Sequence, residues 1–330
     1  MSPVPEGSPL PTSTHAIRAE GLLKRYGDKT ALDGFDLAVP QGMVYGLLGP
    51  NGAGKTTAVR IMATLLRLDG GRAEVAGHDV ATEPRKVRRR IGFTGQAPAV
   101  DEILTGRQNL RMFGRLFHLS QALAYSRADE LLRQFDLTDA ADKGVKEYSG
   151  GMRRRLDLAA SMILAPKVLF LDEPTTGLDP RGRNEVWSAV RSLVAGGTTV
   201  LLTTQYLDEA DQLAERVAVI DHGKVIADDS PVALKQRIGG DQIEVVLQES
   251  VDLPVALPVV AKVAAAAPEV DDENRRITAP VEHRVAALTE VARTLQDEGI
   301  GVEDIGLRRP TLDEVFLRLT GHRTGEEVSA

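Results

Sequence analysis

The sequence GPNGAGKTT at positions 49–57 predicts a phosphate-binding loop, because it matches the pattern G-x-x-x-x-G-K-[ST] in full. An apolar run at 43–48 precedes it, and a helix-like segment at 57–66 follows it. Glycines let the backbone fold tightly around a phosphate with its N–H groups pointing inward, and a helix N-terminus adds favourable partial charge. A strand, this loop and a helix in that order predict an α/β fold built on a parallel nucleotide-binding sheet.

Every position of this loop is a candidate for nucleotide binding. Lys55 is placed to reach the terminal phosphates of ATP, and the hydroxyl of Thr56 is placed to bind Mg²⁺. We therefore expect ATP and Mg²⁺ as the cofactors. The expected nucleotide-binding residues of the loop are Gly49, Pro50, Asn51, Gly52, Ala53, Gly54, Lys55, Thr56 and Thr57.

A second apolar run, at 168–171, ends in two carboxylates, Asp172 and Glu173. The run is too short for a helix and suits a strand that is buried on both faces. Ligands of doubly wound folds bind at the carboxyl ends of the strands. We therefore expect Asp172 to hold Mg²⁺ at that edge and Glu173 to polarise the water that attacks the nucleotide.

The sequence YSGG at 148–151 lies 23 residues, counted from Ser149, before Asp172 and opens a helix-like segment at 152–164. Together with the phosphate loop it resembles the ATP-binding cassette (ABC) family over roughly residues 17–230. The resemblance implies that Ser149, Gly150 and Gly151 contact the γ-phosphate of a nucleotide held by a second subunit. Two chains would then enclose two ATP molecules head to tail, as a homodimer.

The resemblance assigns three further positions. Tyr26 matches the aromatic residue that stacks on adenine, and Gln96 matches the glutamine that touches the magnesium ion and senses the membrane partner. Asp179 matches the loop that crosses the dimer interface. The second-subunit contacts implied are thus Ser149, Gly150, Gly151 and Asp179, and the metal contacts are Thr56, Gln96 and Asp172.

Two positions depart from the family pattern. Gln205 stands where the family has its switch histidine, and Met152 stands where it usually has glutamine. An amide can hydrogen-bond a γ-phosphate but cannot titrate near neutral pH. We keep Glu173 and Gln205 as the catalytic candidates and expect hydrolysis to be slow and dependent on the dimer.

The chain is expected to have three parts. Residues 1–16 are Pro-rich, with neither the basic start nor the apolar core of a signal peptide, and are expected to form a disordered tail. Residues 17–238 are expected to form the nucleotide-binding domain, a P-loop NTPase parallel sheet with an antiparallel β layer and a helical insert at about 97–165. In the family such an insert carries a groove for a permease helix, but the sequence does not distinguish this from a plain helical subdomain. Residues 239–330 are expected to form a small α+β accessory domain.

Composition limits the possible partners. The formal charge of −7 argues against nucleic acid, so we interpret the arginine run at 88–90 as a solvated face. Helical spacing predicts that the run at 153–155 lies on a solvated face near phosphate or the partner chain. The sequence has no cysteine, which excludes disulfides and thiolate metal sites. No apolar run reaches the roughly 18 residues of a membrane helix, so a membrane-spanning part would have to come from another polypeptide.

The closing segment 310–321, with the sequences around Gln205 and Met152, resembles the ATPase subunits of daunorubicin/doxorubicin-resistance-type exporters. That resemblance implies a separately encoded integral membrane permease and export of a hydrophobic drug or antibiotic. It places the chain in the cytoplasm, peripherally on the inner face of the cell membrane.

Other ABC classes fit parts of the pattern. A soluble ABC ATPase that acts as an assembly or regulatory scaffold would share every motif up to Ser230. A DNA-repair ATPase would need a long coiled coil between Gln96 and Ser149, where only 52 residues lie. A translation factor of this family would carry two cassettes, and a second phosphate loop is absent from the sequence.

Overall fold

The computed structural model describes residues 15–237 and 241–321. The chain divides into two units between Asp228 and Asp229, ten residues before the predicted boundary at 238/239. The division comes earlier because the short helix at 231–237 packs against the last helix of the second unit and buries Leu234 there. The predicted tail falls on residues 1–14, outside the described part, and on His15 and Ala16, which already belong to the first strand.

The first unit contains two sheets. Its strands are β1 (His15–Tyr26), β2 (Lys29–Pro40), β3 (Val44–Leu48), β4 (Gly70–Val75), β5 (His78–Asp79), β6 (Ile91–Thr94), β7 (Val168–Asp172), β8 (Thr199–Thr204), β9 (Arg216–Asp221) and β10 (Lys224–Asp229). Its helices are α1 (Lys55–Met62), α2 (Pro84–Arg88), α3 (Gly106–Leu116), α4 (Gln121–Gln134), α5 (Gly150–Ser161), α6 (Pro180–Ala195) and α7 (Leu207–Leu213).

The larger sheet has the strand order β10-β9-β3-β8-β7-β6, and β9, β3, β8, β7 and β6 run parallel. Strands β3, β7 and β8 are buried along their whole length, as apolar runs without alternation predict. The parallel direction brings the carboxyl ends of these strands to one edge. The phosphate loop, Asp172 and Gln205 therefore follow neighbouring strands at that edge.

The smaller sheet is antiparallel, with the order β2-β1-β4-β5, and confirms the predicted antiparallel layer. Side chains from both sheets and from α1 share one core, in which Phe35, Ile61 and Phe170 are fully buried. Helix α1 ends at Met62, four residues before the predicted end, and Thr64 just beyond it has φ +61°. A left-handed residue cannot continue the helix.

Helices α3, α4 and α5 form the predicted helical insert. Each begins at a hydroxyl side chain that accepts a backbone N–H, namely Thr105, Ser120 and Ser149. The residues Arg88, Arg89 and Arg90 are exposed, as predicted.

The second unit has α8 (Pro231–Arg237), β11 (Gln242–Leu247), α9 (Leu253–Val263), β12 (Glu269–Asp271), β13 (Arg276–Pro280), α10 (Arg284–Asp297), β14 (Val302–Arg308) and α11 (Leu312–Thr320). Its antiparallel sheet has the order β12-β13-β11-β14 and packs against α9 and α10. The sequence predicted β11, α10, β14 and α11 but not the other elements. Over the described residues, none of the helices combines the length and the apolar character needed to cross a membrane.

Candidate nucleotide-binding site

The phosphate loop and the predicted metal-binding and catalytic residues follow four adjacent strands at one edge of the parallel sheet. Gln96 comes after β6, Asp172 ends β7, Gln205 comes after β8, and the phosphate loop follows β3. Adjacent strands are about 4.8 Å apart, so these groups span roughly 15 Å of the edge. Gln96 is exposed and Gln205 is half-buried, so both side chains are accessible from that edge.

The phosphate loop is glycine-rich because its backbone needs conformations and clearances that a side chain would prevent. Gly54 has φ +111°, and a Cβ atom there would lie 2.5 Å from the carbonyl oxygen of Ala31. A Cβ atom on Gly49 would lie 2.4 Å from the carbonyl oxygen of Ile220. Neighbouring main chain thus fixes the loop from both sides, and its form suits a phosphate cradle.

Lys55 lies inside this loop and is only 6% exposed. Its Nζ atom donates hydrogen bonds to the carbonyl oxygens of Gly49 at 2.6 Å and Pro50 at 3.0 Å. Burial lowers the pKa of Lys55, whereas the nearby carboxylates of Glu173 and Asp172 raise it. The ammonium group is therefore held at the phosphate loop and faces the two acidic residues.

The two strongest candidates for Mg²⁺ binding lie together. The hydroxyl of Thr56 donates to Oδ1 of Asp172 at 3.4 Å, and the hydroxyl of Thr203 donates to the same oxygen at 2.6 Å. Hydroxyl and carboxylate oxygens are ligands that suit Mg²⁺, which binds proteins through few side chains and keeps several waters. These residues fit the ion, and the hydroxyl of Thr203 helps to orient the Asp172 carboxylate.

Glu173 has an unusual backbone conformation, with φ +51°. A left-handed conformation costs a non-glycine residue about 1–2 kcal/mol, and such strain is common at functional sites. The amide of Glu173 donates to the carbonyl oxygen of Thr203 at 3.0 Å, and the side chain accepts from the Thr176 hydroxyl at 3.3 Å. These contacts hold Glu173 in this conformation.

Three of the four predicted second-subunit residues lie on a separate exposed surface, whereas the fourth, Gly151, is buried. Ser149 caps α5 by accepting from the amide of Met152 at 3.2 Å, and Asp179 caps α6 by accepting from the amide of Gly182 at 2.9 Å. Helices α5 and α6 pack directly, so the two caps lie side by side, and a Cβ atom on Gly151 would lie 3.2 Å from the Cα atom of Gly182. Ser149, Gly150 and Asp179 are exposed. Two helix N-termini on one surface favour binding of an anion.

Tyr26 lies at the end of β1, in the antiparallel sheet and not at the edge of the parallel sheet. Its ring is half-exposed, with the ammonium of Lys24 5.6 Å from the ring centroid. The ring is accessible to a flat partner such as a nucleobase.

The interpretation of the arginines at 153–155 as a solvated face is wrong. Each donates to main-chain carbonyls of a different segment: Arg153 to Lys146, Arg154 to Pro174 and Gly95, and Arg155 to Phe135. Arg154 is 5% exposed. Sequence reasoning missed Arg154 and Thr203, and the pair of threonines at the end of the apolar strand β8 was the available signal for Thr203.

Comparisons with known proteins agree with this geometry. Residues 32–176 match the ABC transporter family. The chain is 72% identical over 310 residues to the daunorubicin resistance ATP-binding protein DrrA2 of Streptomyces coeruleorubidus, covering 94% of this chain and 96% of the relative. It is 53% identical over 323 residues to the daunorubicin/doxorubicin resistance ATP-binding protein DrrA of Streptomyces peucetius, covering 96% and 97%.

Solved structures of ATP-binding cassettes resemble about two thirds of the chain. The cbiO1 protein of Clostridium perfringens, part of the ABC transporter complex cbiONQ, is 26% identical with a TM-score of 0.64, covering 68% of this chain and 92% of that one. The ADP conformation of MJ1267, an ATP-binding cassette of an ABC transporter, is 26% identical with a TM-score of 0.61, covering 66% and 92%. The chain therefore belongs to the ATP-binding proteins of the ABC transporter family, within the daunorubicin/doxorubicin-resistance type.

Proposed function

We propose that this protein is the ATP-hydrolysing subunit of an exporter that removes a hydrophobic drug or antibiotic through a separate membrane permease. The observation that carries the proposal is the contact of Thr56 and Asp172 beside the phosphate loop, which combines a phosphate cradle with an oxygen-ligand metal site. The names of the relatives, which concern daunorubicin and doxorubicin resistance, support the drug as substrate class.

Hydrolysis is assigned to the two acidic residues at the end of β7. Asp172 and Thr56 would hold Mg²⁺ together with Gln96, and the ion would neutralise charge on the phosphates. Lys55 would bind the terminal phosphates, and Glu173 would accept a proton from the attacking water. Gln205 would donate its amide N–H to the γ-phosphate without taking part in proton transfer.

The site requires a second copy of the chain. Ser149, Gly150 and Gly151 would bind the γ-phosphate of the nucleotide on the partner's phosphate loop, with Asp179 beside them at the interface. The exposed helix N-termini at Ser149 and Asp179 support this role. They offer partial positive charge at a place separate from the chain's own phosphate loop. Tyr26 would stack on adenine.

An apolar groove in the first unit supports docking of a permease segment. The groove has a volume of about 240 Å³ and is lined by Leu65, Phe93, Phe113, Phe117 and Leu164, with Asp157 among its polar residues. Leu65 and Phe117 are 59% and 45% exposed, respectively. An apolar lining of this kind suits the apolar side of a short helix. It also borders the loop that follows β6, which carries Gln96.

The catalytic assignment is tested with Glu173→Gln. The variant should bind ATP with unchanged affinity, accumulate a closed dimer in size-exclusion chromatography, and hydrolyse ATP about 10²- to 10⁴-fold more slowly. Near-normal turnover would remove Glu173 from the mechanism. In the native host lacking this gene, the wild-type chain but not the Glu173→Gln chain should lower daunorubicin accumulation. Equal accumulation with both chains would favour a scaffold role.

The docking assignment is tested with Phe117→Asp, which places a charge in the groove at an exposed position. Binding of the chain to the native membrane fraction should fall at least about tenfold. Tyr125→Asp is the matched control, since Tyr125 is a similarly exposed aromatic residue of the same insert that does not line the groove. Equal binding of both variants and wild type would contradict the groove as the docking site.

A further inference from the structure

Arg154 connects two segments of the site, residues 172–174 and the loop that begins at Gly95, from within the protein. Its Nε atom donates to the carbonyl oxygen of Pro174 at 2.8 Å, and a terminal guanidinium nitrogen donates to that of Gly95 at 2.7 Å. Its other terminal nitrogen lies 3.5 Å from the carbonyl oxygens of both Asp172 and Glu173. The side chain is 6% exposed, so these contacts are made in a water-poor interior where they are strong.

The contact with the Glu173 main chain completes the support of a strained residue. Thr203 holds the amide side of Glu173 from β8, with the carbonyl oxygen at 3.0 Å and the hydroxyl at 3.3 Å. Arg154 holds the carbonyl side from α5. A glutamate keeps a left-handed backbone conformation only where several surrounding contacts hold it there. Removal of one of these contacts would let the backbone relax.

Another nitrogen of the guanidinium is connected to the docking groove through Asp157. Gly95 directly precedes Gln96, and Arg154 pairs with the buried Asp157 at 3.5 Å. Asp157 in turn accepts the amide of Ala99 at 2.8 Å, and both Asp157 and Ala99 line the groove. One arginine and its counter-ion thus fix both ends of the loop 95–99 and the turn that carries Glu173.

From these contacts we infer that Arg154 is a positioning residue for hydrolysis. It fixes the position of the Glu173 carboxylate relative to the loop 95–99. The inference rests on the proposed role of Glu173 as the base. A guanidinium is required because the two loops are bound through different nitrogens of one rigid plane, which a lysine ammonium cannot reproduce.

The test is a double-mutant cycle in the full-length chain. Arg154→Gln should lower kcat for ATP hydrolysis about 10- to 100-fold, because a small displacement of a catalytic group has an effect of that size, and should leave KM within about threefold. In the Glu173→Gln background the same substitution should change the residual single-turnover rate by less than about twofold, since no base remains to be positioned.

Arg155→Gln is the matched control. Arg155 is another arginine of α5 with a side chain only 11% exposed. It also binds main-chain carbonyls, but those of Phe135 and Asp136 at the end of α4, and it pairs with Glu185. Its substitution should affect the thermal unfolding temperature as Arg154→Gln does while leaving kcat within about threefold. If Arg154→Gln does not fold, Arg154→Lys takes its place in the cycle, with an expected kcat about 3- to 10-fold below wild type.

The outcomes separate this inference from the function on which it rests. An equal loss of kcat from Arg154→Gln in both backgrounds, or an equal loss from Arg155→Gln, would show a general structural role and overturn the inference. A Glu173→Gln chain with normal turnover would refute the base itself. A slow Glu173→Gln chain combined with an unaffected Arg154→Gln chain would refute only the positioning role.

Discussion

Replacement of Thr203 by valine tests how the Asp172 carboxylate is held. The Thr203 hydroxyl donates to Oδ1 of Asp172 at 2.6 Å and accepts from the amide of Glu173 at 3.3 Å. Thr203 is fully buried and Asp172 is 3% exposed, so water cannot replace the lost donor without rearrangement. Valine keeps the branched shape and replaces the hydroxyl with a methyl group.

The expected loss of stability follows from the type of hydrogen bond. A hydrogen bond to a charged group contributes about 1.5–3 kcal/mol to the free energy of unfolding. Since about 1.4 kcal/mol is a factor of ten, Thr203→Val should raise the unfolding equilibrium constant roughly 10- to 150-fold. The Asp172 carboxylate would also lose its fixed orientation, and the Mg²⁺ concentration for half-maximal hydrolysis should rise about tenfold.

The assay is urea denaturation followed through Trp187, the single tryptophan of the chain, which lies in the first unit. Thr199→Val is the matched control, because Thr199 lies at the opposite end of β8 and its hydroxyl accepts from the amide of Gly42 at 2.9 Å. This neutral hydrogen bond predicts a loss of about 0.5–1.5 kcal/mol and an unchanged Mg²⁺ requirement. If Thr203→Val differs from wild type by less than about 0.5 kcal/mol and needs no more Mg²⁺, the proposed support of Asp172 is refuted.

Four further substitutions have defined outcomes. Gly54→Ala adds a Cβ atom 2.5 Å from a main-chain oxygen at φ +111°, and it should lower the free energy of unfolding by about 2–5 kcal/mol. Gly52→Ala adds a Cβ atom in open space at φ +83°, and it should lower the free energy of unfolding by only about 1–2 kcal/mol. Calorimetry measures both losses. Gln205→His should hydrolyse ATP at least as fast as wild type if the amide is a weak substitute, and an inactive variant would contradict this. Burial raises the pKa of Glu209, which accepts from the indole N–H of Trp187, so the folded state binds its proton more tightly than the unfolded chain. The contribution of Glu209 to stability therefore decreases as pH rises above the unfolded-state pKa of about 4.3. Glu209→Gln should be more stable than wild type at pH 8 but not at pH 4. Stability curves that run parallel for the two chains over this pH range would refute the prediction.

The parts of the site that sequence could predict are those specified within short segments. The loop at 49–57 contains its own turn glycines, and Asp172 follows an apolar run that forms a buried strand in the parallel sheet. Ser149 was recognisable because an N-cap is a local feature of the backbone, whereas Asp179, which caps α6 in the structure, was identified only through the family resemblance. The closing helix was predicted from the helical spacing of Leu312, Val315, Phe316 and Leu319, and the structure adds that Thr311 and Glu314 form a capping box at its start.

The tertiary structure decided which of these groups meet. Thr203 supports Asp172 only because β8 pairs with β7, and Arg154 reaches Gly95 only because α5 packs beside the end of β6. The sequence alone favoured a solvated face for Arg154, since three consecutive charges on a helix usually face water. The local sequence thus determined the phosphate loop, the acidic strand end and the caps, because backbone geometry depends on neighbouring residues. Burial and long-range hydrogen bonds depend on how distant segments pack, and only the folded chain could specify them.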